Sequence, residues 1–206
     1  MNTRIKICGL TRPEDIEAVN LYLPDYIGFV FARSKRQIDH NTAINLKKML
    51  NSQIQAVGVF VNHPINEIAD IVESSVIDLI QLHGDEDANY IKSLKKRLSF
   101  KKTPIIKAVR VKNKLDIKEH EMIDYYLYDA FDKNMYGGGG QTFDWNLLKD
   151  IKTPFFLAGG INISNVDLAI RQQNPYCIDL SSGVESNGFK DAEKIKEIIQ
   201  KVRRIK

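Results

Sequence analysis

The sequence predicts an α/β protein that folds as a single (β/α)8 TIM barrel, with a parallel eight-stranded sheet closed on itself. Short apolar runs alternate with segments of helical periodicity along the whole chain, which indicates a parallel sheet. Eight such repeats fit a closed barrel better than an open doubly wound sheet, which usually has about five or six strands. No linker or change of composition divides the 206 residues, so we expect one barrel domain over residues 1–206.

The predicted strands are short and rich in Ile, Val, Leu, Tyr or Phe. They cover 4–8, 26–31, 55–61, 77–82, 105–109, 125–129, 154–158 and 176–180. The first is followed by a turn and a helix start, where Thr11 and Glu14 have capping-box spacing and Pro13 suits a first helical turn.

Helical segments are predicted between most of the strands. Residues 64–75 and 190–204 each place their apolar side chains on one face. Residues 164–172 open with Ser164 and Asp167, which again have a spacing similar to that of a capping box. The chain lies at the low end of the size range of this barrel, so its loops must be short.

Composition and charge exclude several classes of protein. Apolar residues make up 43% of the chain, and the net charge of +4 is dispersed, which argues against disorder and against nucleic-acid binding. The amino terminus has no apolar signal core, and no run approaches the roughly 18 apolar residues of a membrane span. We therefore expect a soluble cytoplasmic protein without nucleic-acid or membrane partners; a monomer and a homodimer both remain open.

Cys8 is the first candidate for chemistry, because it ends a strand immediately before a loop, where barrels of this kind place their active sites. A lone cysteine is more often a small buried hydrophobe, and we interpret Cys177 in that way. Alternation along the strand turns Lys6 and Arg4 inward together with Cys8. The buried cations need partners, which strand-end carboxylates such as Asp129 and Asp179 could supply. Lys6 could also stabilise a Cys8 thiolate.

Glycine-rich segments follow the last three predicted strands. Four consecutive glycines, 137–140, suggest a mobile loop or a close approach to a ligand. Gly159 and Gly160 end the seventh strand, and Ser182 and Gly183 end the eighth, where barrels commonly bind phosphate through backbone N–H groups. Ordinary turns are the alternative, but the two loops together favour phosphate binding.

Arg36 and His83 also follow predicted strands. Arg36 is either a solvated loop residue or a ligand for a substrate carboxylate, which its planar fork suits. His83 is either a satisfied polar residue of the core or a member of the site. The four histidines are scattered, without the spacing of metal ligands, so we expect no metal and no structural zinc.

The sequence Lys-Ile-Cys-Gly-Leu-Thr at 6–11 resembles the opening signature of the phosphoribosylanthranilate isomerase family of tryptophan biosynthesis. The resemblance continues in order to the last helix, and the segments are more specific together than singly. They are 57–62, 81–84, 137–145, 158–161, 181–185 and 188–191.

The resemblance implies an isomerase that needs no cofactor or metal. It implies an Amadori rearrangement of a phosphorylated small molecule, N-(5-phosphoribosyl)anthranilate, to 1-(2-carboxyphenylamino)-1-deoxyribulose 5-phosphate. Cys8 would be the general base, Asp129 the general acid and Arg36 the ligand of the anthranilate carboxylate. The other substrate-binding residues implied are His83, Gly138, Gly140, Gly159, Gly160, Asp179, Ser182 and Gly183.

The chain departs from the family pattern at a few positions, none of which is the implied acid or base. Lys35 replaces a frequent proline, Gln141 a frequent lysine, Gly139 a frequent serine or threonine, and Asn187 a frequent proline. These changes concern the glycine loop and the binding of the substrate.

Two other interpretations remain open at this point. Ribulose-phosphate epimerases and indoleglycerol-phosphate synthases share the phosphate-binding architecture. A metal requirement would favour the epimerases, whereas the early lysine and glutamate of the synthases are not found. A barrel that binds a phosphorylated metabolite as a sensor or scaffold is the alternative to an enzyme, and binding without turnover would support it.

Overall fold

The computed structural model of the chain describes residues 3–111, 121–130 and 143–205. Eight strands form a closed barrel in chain order, and β8 pairs in parallel with β1 to close it. The strands are β1 (Arg4–Cys8), β2 (Tyr26–Val30), β3 (Gln55–Phe60), β4 (Leu79–Leu82), β5 (Ile105–Val111), β6 (Tyr125–Ala130), β7 (Phe155–Leu157) and β8 (Cys177–Leu180). Each overlaps its predicted range, and the predicted parallel (β/α)8 barrel is confirmed.

Helices cover the outside of the barrel. Those in the described residues are α1 (Pro13–Tyr22), α2 (His40–Met49), α3 (Ile65–Glu73), α4 (Ala88–Arg97), α5 (Val166–Gln173) and α6 (Ala192–Arg204). Short 3₁₀ helices lie at Trp145–Leu148 and Ser182–Val184, and a hairpin of β9 (Glu185–Ser186) and β10 (Phe189–Lys190) precedes α6. None of the helices within the described ranges has the length and apolar character needed to cross a membrane.

The barrel has an outer apolar shell and a separate apolar interior. Lys6 of β1 is fully buried inside the barrel, as predicted, while Ile5 and Ile7 on either side of it face the helices. The interior toward the amino ends of the strands is filled by Tyr26, Val57, Leu79, Ile106, Leu127, Phe156 and Cys177. This layer closes the lower half of the barrel and separates the polar groups at the amino end from those at the carboxyl ends of the strands.

Arg4 lies at the amino end of β1, away from the strand-end carboxylates. Its Nη1 donates to the hydroxyl of Tyr26 at 2.7 Å, and its guanidinium stacks 5.0 Å from the ring centroid of Tyr176. The expectation that strand-end carboxylates would partner both inward cations is therefore wrong for Arg4. A residue at the first position of the strand is too far down the barrel to reach the carboxyl ends.

A repeated aspartate ties neighbouring strands together at the amino end of the barrel. Asp25, Asp78 and Asp124 each precede an even-numbered strand. Each accepts a hydrogen bond from a backbone N–H of the preceding odd-numbered strand, at 2.9, 2.7 and 2.8 Å respectively. These contacts lie at the end of the barrel that serves stability rather than catalysis.

The amino terminus of α1 is capped one residue later than predicted. Arg12 is the N-cap and Asp15 supplies the carboxylate, which accepts from the backbone N–H groups of Thr11 and Arg12 at 2.8 and 3.1 Å. The predicted pair of Thr11 and Glu14 is wrong, because Asp15 is buried under the turn and reaches both N–H groups. Pro13 occupies the first turn, as predicted.

The start of α5 also differs from its predicted capping pair. Its N-cap is Asn165, and Asn162 accepts hydrogen bonds from the backbone N–H and the hydroxyl of Ser164 at 2.9 and 2.6 Å. Asp167 forms an ion pair with Arg171 on the next turn at 3.0 Å. An asparagine-centred turn therefore replaces the capping box predicted from Ser164 and Asp167.

Candidate active site

A cluster of polar side chains lies inside the barrel at the carboxyl ends of the strands. Cys8 is the last residue of β1, Asp129 is next to last on β6, and Asp179 is next to last on β8. His83 follows β4 directly. These residues come from well-separated parts of the chain, and the closed barrel turns all four strand ends toward the same mouth.

The Cys8 thiol packs against Gly28 of β2, where the absence of a side chain leaves space for the sulfur. A Cβ added to Gly28 would lie 2.6 Å from the Cys8 sulfur, closer than real atoms approach. Desolvation raises the pKa of the Cys8 thiol, Lys6 and Lys190 work in the opposite direction, and Asp179 adds to the increase. Lys6 therefore favours the thiolate, as we predicted, but it does not outweigh the cost of removing a thiolate from water.

Since the resemblance makes Cys8 the expected base, we expect Gly28→Ala to displace its sulfur and to lower kcat at least tenfold, because about 1 Å of misplacement is costly at a reacting group. Steady-state kinetics would measure the loss. Gly58→Ala is the comparison, since Gly58 is also in a strand but contacts Ile77 and Phe60 of the outer shell. Equal losses of kcat in both variants would contradict a specific effect on the thiol.

Lys6 and Asp179 form a buried ion pair beside Cys8. Lys6 Nζ donates to Asp179 Oδ2 at 2.8 Å, and both side chains are almost fully buried. Burial lowers the pKa of Lys6, but the facing Asp179 and Cys8 raise it well above its usual value, so Lys6 stays cationic. Asp179 Oδ1 is buried and has no hydrogen-bond partner among the described residues, which leaves an acceptor at the site.

Asp129 faces a histidine that a glutamine orients. His83 Nε2 lies 3.3 Å from Asp129 Oδ2, and His83 Nδ1 lies 2.8 Å from the amide nitrogen of Gln81. An amide nitrogen can only donate, so in this contact Nδ1 accepts and the ring hydrogen resides on Nε2. Nε2 lies near Asp129 but makes no hydrogen bond to any described residue. Gln81 is buried in β4, two residues before His83, and therefore shares its inward face.

Arg36 reaches the rim of the site from the loop after β2. Its Nε and Nη2 donate to the two carboxylate oxygens of Glu185 at 2.7 and 2.8 Å. Lys190 Nζ donates to the same carboxylate at 2.5 Å. Burial alone would raise the pKa of Glu185, but Arg36 and Lys190 hold it below its usual value, so the carboxylate stays ionised.

The loops after β7 and β8 approach each other closely. Gly159 and Gly160 have φ of +83° and +62°, and a Cβ on Gly183 would clash with the carbonyl oxygen of Ile161. Ser182 opens the 3₁₀ helix after β8. The backbone of the two predicted phosphate loops therefore forms one continuous surface at the barrel mouth.

Some predicted positions lie outside the described residues, and some residues of the site were not predicted. The predicted positions outside the described residues are Gly138 and Gly140. The residues of the site that the sequence did not predict are Gln81, Gly28, Glu185 and Lys190. The sequence offered one signal for Gly28, a glycine in the middle of a strand, which often marks a close approach of another group.

The fold and the site define a class of protein. A closed parallel barrel that holds a thiol, a carboxylate, a histidine and an ion pair at the carboxyl ends of its strands is a (β/α)8-barrel enzyme. Within the described residues, no group of His, Cys, Asp or Glu side chains has the arrangement of metal ligands.

The sequence profile of the N-(5'-phosphoribosyl)anthranilate (PRA) isomerase family matches residues 5–201. The chain belongs to this family, and it is an enzyme of the aldose–ketose isomerase class. It is 52% identical over 200 residues to an N-(5'-phosphoribosyl)anthranilate isomerase of Endomicrobium trichonymphae, covering 97% of this chain and 98% of the relative. The corresponding protein of Acetivibrio thermocellus is 48% identical over 209 residues, with 98% and 96% covered.

Solved structures of the family have the same fold. The phosphoribosyl anthranilate isomerase of Thermus thermophilus superposes with a TM-score of 0.87 at 28% identity, covering 99% of this chain and all of the other. A phosphoribosyl anthranilate isomerase in complex with reduced 1-(o-carboxyphenylamino)-1-deoxyribulose 5-phosphate superposes with a TM-score of 0.79 at 31% identity, with 98% of each chain covered. The isomerase of Thermotoga maritima is described both as a dimer and as monomers generated from it.

Proposed function

We propose that this chain converts N-(5-phosphoribosyl)anthranilate to 1-(2-carboxyphenylamino)-1-deoxyribulose 5-phosphate in tryptophan biosynthesis, without a cofactor or metal. The proposal is supported by membership of the isomerase family and by the ligand of one solved relative, which is a reduced form of this product. The reaction is an Amadori rearrangement, in which an aminoaldose becomes an aminoketose by proton transfers alone.

Asp129 is the general acid of the first step. Its acid form gives a proton to the ribose ring oxygen while the bond from C1 to that oxygen breaks. The electron pair of the anthranilate nitrogen forms a C1=N bond, which gives an open-chain protonated Schiff base. His83, whose Nε2 lies 3.3 Å from Asp129 Oδ2, can turn its N–H toward the carboxylate that this step leaves behind.

Cys8 is the general base of the second step. Its thiolate removes the proton from C2, and the electrons of that C–H bond form C1=C2 while the iminium nitrogen becomes neutral. The resulting enolamine loses its hydroxyl proton and gains one at C1, which gives the ketone. Lys6 and Lys190 favour the thiolate electrostatically, and the enzyme is reset when Cys8 loses a proton and Asp129 regains one.

The remaining side chains bind and orient the substrate. Arg36 binds the anthranilate carboxylate through the part of its guanidinium that Glu185 does not use. The phosphate rests on backbone N–H groups near Gly159, Gly160, Ser182 and Gly183. Asp179 Oδ1 is available to accept a hydrogen bond from a ribose hydroxyl, and its partner Lys6 holds it in place.

One observation supports this function most directly. Cys8 and Asp129 are the last inward-facing residues of β1 and β6, in a barrel whose lower half is closed by apolar side chains. These two strands are three steps apart around the ring, so a base and an acid at their ends can approach one bound sugar from two directions, as the two proton transfers require.

The activity test follows the fluorescence of the anthranilate adduct, with substrate generated in situ by metal-free condensation of anthranilate with ribose 5-phosphate, in which water is lost. We expect the purified chain to abolish this fluorescence at the same rate with and without a chelator. The control is the same mixture without the chain, which reports the spontaneous breakdown of the substrate. A folded chain that binds the reduced product but gives no turnover would contradict the proposal and support the sensor interpretation.

A further inference from the structure

The side chain of Arg36 is held in one orientation by Glu185. The contact is a bidentate pair between Nε and Nη2 of Arg36 and both oxygens of Glu185, at 2.7 and 2.8 Å. The side chain of Glu185 is 9% exposed and that of Arg36 is 22% exposed, so solvent competes little for either group. A planar pair of this kind fixes the direction of the whole guanidinium and not only its position.

The aliphatic part of the Arg36 side chain packs against Gly9, which also limits its position. A Cβ added to Gly9 would clash with the Cδ of Arg36, so the arginine stem passes directly over Gly9. Gly9 follows Cys8, the proposed base, in the chain. The guanidinium therefore reaches the mouth of the barrel close to the site of the second proton transfer.

Glu185 is fixed independently of Arg36. It pairs in register with Lys190 across the hairpin β9–β10, and Lys190 Nζ donates to its Oε1 at 2.5 Å and to the carbonyl oxygen of Ser181 at 3.0 Å. Ser181 in turn donates from its hydroxyl to the carbonyl oxygen of Cys8 at 3.1 Å. The hairpin thus connects the carboxylate to the strand that carries the thiol.

The cluster of Arg36, Lys190 and Glu185 carries one positive charge in excess, which one anion would neutralise. Two cations, Arg36 and Lys190, face the single carboxylate of Glu185. The neighbouring Lys6 is already matched by Asp179. Glu185 contacts the Nε side of the guanidinium, and the Nη1 end has no partner among the described residues. This end presents paired N–H groups in the geometry that suits another carboxylate.

We propose that Glu185 is a positioning residue that directs the open end of Arg36 at the carboxylate of the substrate. The inference deepens the proposed function and rests on it, since it takes the anthranilate carboxylate as the ligand of Arg36. Glu185 then sets the specificity for an aminoaldose whose aromatic amine carries a carboxylate. It does so without touching the reacting atoms.

The opposite role would be that of a placeholder, in which Glu185 competes with the substrate for Arg36. The two roles predict opposite signs when the negative charge is removed. A positioning residue strengthens binding of the carboxylated ligand, so its loss weakens that binding. A placeholder weakens binding, so its loss tightens it.

The test compares two ligands on the wild type and on Glu185→Gln. The first ligand is reduced 1-(o-carboxyphenylamino)-1-deoxyribulose 5-phosphate, and the second is the same compound made from aniline, which lacks the carboxylate. We expect the variant to bind the first ligand about tenfold more weakly, the usual scale for a lost charged contact, and the second with unchanged Kd. Turnover should show the same pattern, with KM raised more than kcat is lowered.

Two further variants make the comparison decisive. Glu185→Asp keeps the charge on a shorter stem and should recover part of the preference for the carboxylated ligand, and it also serves if Glu185→Gln does not fold. Glu193→Gln removes an exposed carboxylate that pairs with Lys196, and it should leave both Kd values unchanged.

The outcomes separate this inference from the proposed function. Equal weakening of both ligands in the Glu185 variants would overturn the positioning role and leave a structural one. Tighter binding of the carboxylated ligand would overturn it in favour of the placeholder. A wild type that neither binds the carboxylated ligand nor turns over substrate would overturn the proposed function itself.

Discussion

Replacing Cys8 with alanine is expected to lower kcat by about 10²–10⁴-fold, the usual contribution of a positioned general base. The variant removes the thiol that is proposed to accept the proton from C2, and it leaves the neighbouring ion pair of Lys6 and Asp179 in place. The thiol lies over Gly28, so alanine leaves space but forces no rearrangement of β2. Initial rates of loss of adduct fluorescence at saturating substrate would measure the change in kcat.

The second cysteine provides a matched control. Cys177 is fully buried in the apolar interior toward the amino end of β8, and burial raises the pKa of its thiol well above the usual value. Cys177→Ala should therefore cost stability and leave kcat unchanged. Near-normal turnover in Cys8→Ala would retain the reaction but reject the thiol as its base.

The barrel could be predicted from the chain because its strands are short, mostly apolar runs bounded by turn residues. Buried parallel strands give this signal at every repeat, and the repeat number then selects a closed sheet. The inward direction of Lys6 followed from strand alternation alone, and its side chain is buried inside the barrel. The same alternation gives the inward direction of Arg4. It does not show how far Arg4 lies from the carboxyl ends of the strands, and this distance determines its partner.

The helix caps were harder to predict, for a local reason. A capping box depends on which carboxylate reaches the free N–H groups, and Glu14 and Asp15 are adjacent in the chain. The structure selects Asp15 because its side chain turns inward and is buried. Spacing in the sequence could not distinguish the two, since it does not show the direction in which each side chain points.

The sequence predicted which strand-end residues form the site. It did not predict the hydrogen bonds and ion pairs between their side chains. Cys8, His83, Asp129 and Asp179 were identified because each ends a strand, and the barrel brings them to one mouth. The pairing of Arg36 with Glu185 joins residues far apart in the sequence and depends on the hairpin after β8. No local pattern encodes such a contact, so the role of Glu185 could emerge only from the structure.

The Asp129→Asn variant is expected to lose about 10²-fold or more in kcat, because an amide cannot protonate the ribose ring oxygen. Asparagine has the same shape as aspartate and keeps an acceptor oxygen beside His83. The binding of the reduced product should therefore change little, since ring opening has already occurred in that ligand. Steady-state kinetics and a Kd for the reduced product would separate the two effects.

The control for this variant lies at the other end of the same strand. Asp124 precedes β6 and accepts the backbone N–H of Ile105 at 2.8 Å, in the half of the barrel that serves stability. Asp124→Asn should lower Tm and leave kcat unchanged. Asp129→Asn should lower kcat and leave Tm unchanged. If Asp129→Asn kept near-normal turnover, the proton for ring opening would have to come from another group, and His83, 3.3 Å away, would be the next residue to replace.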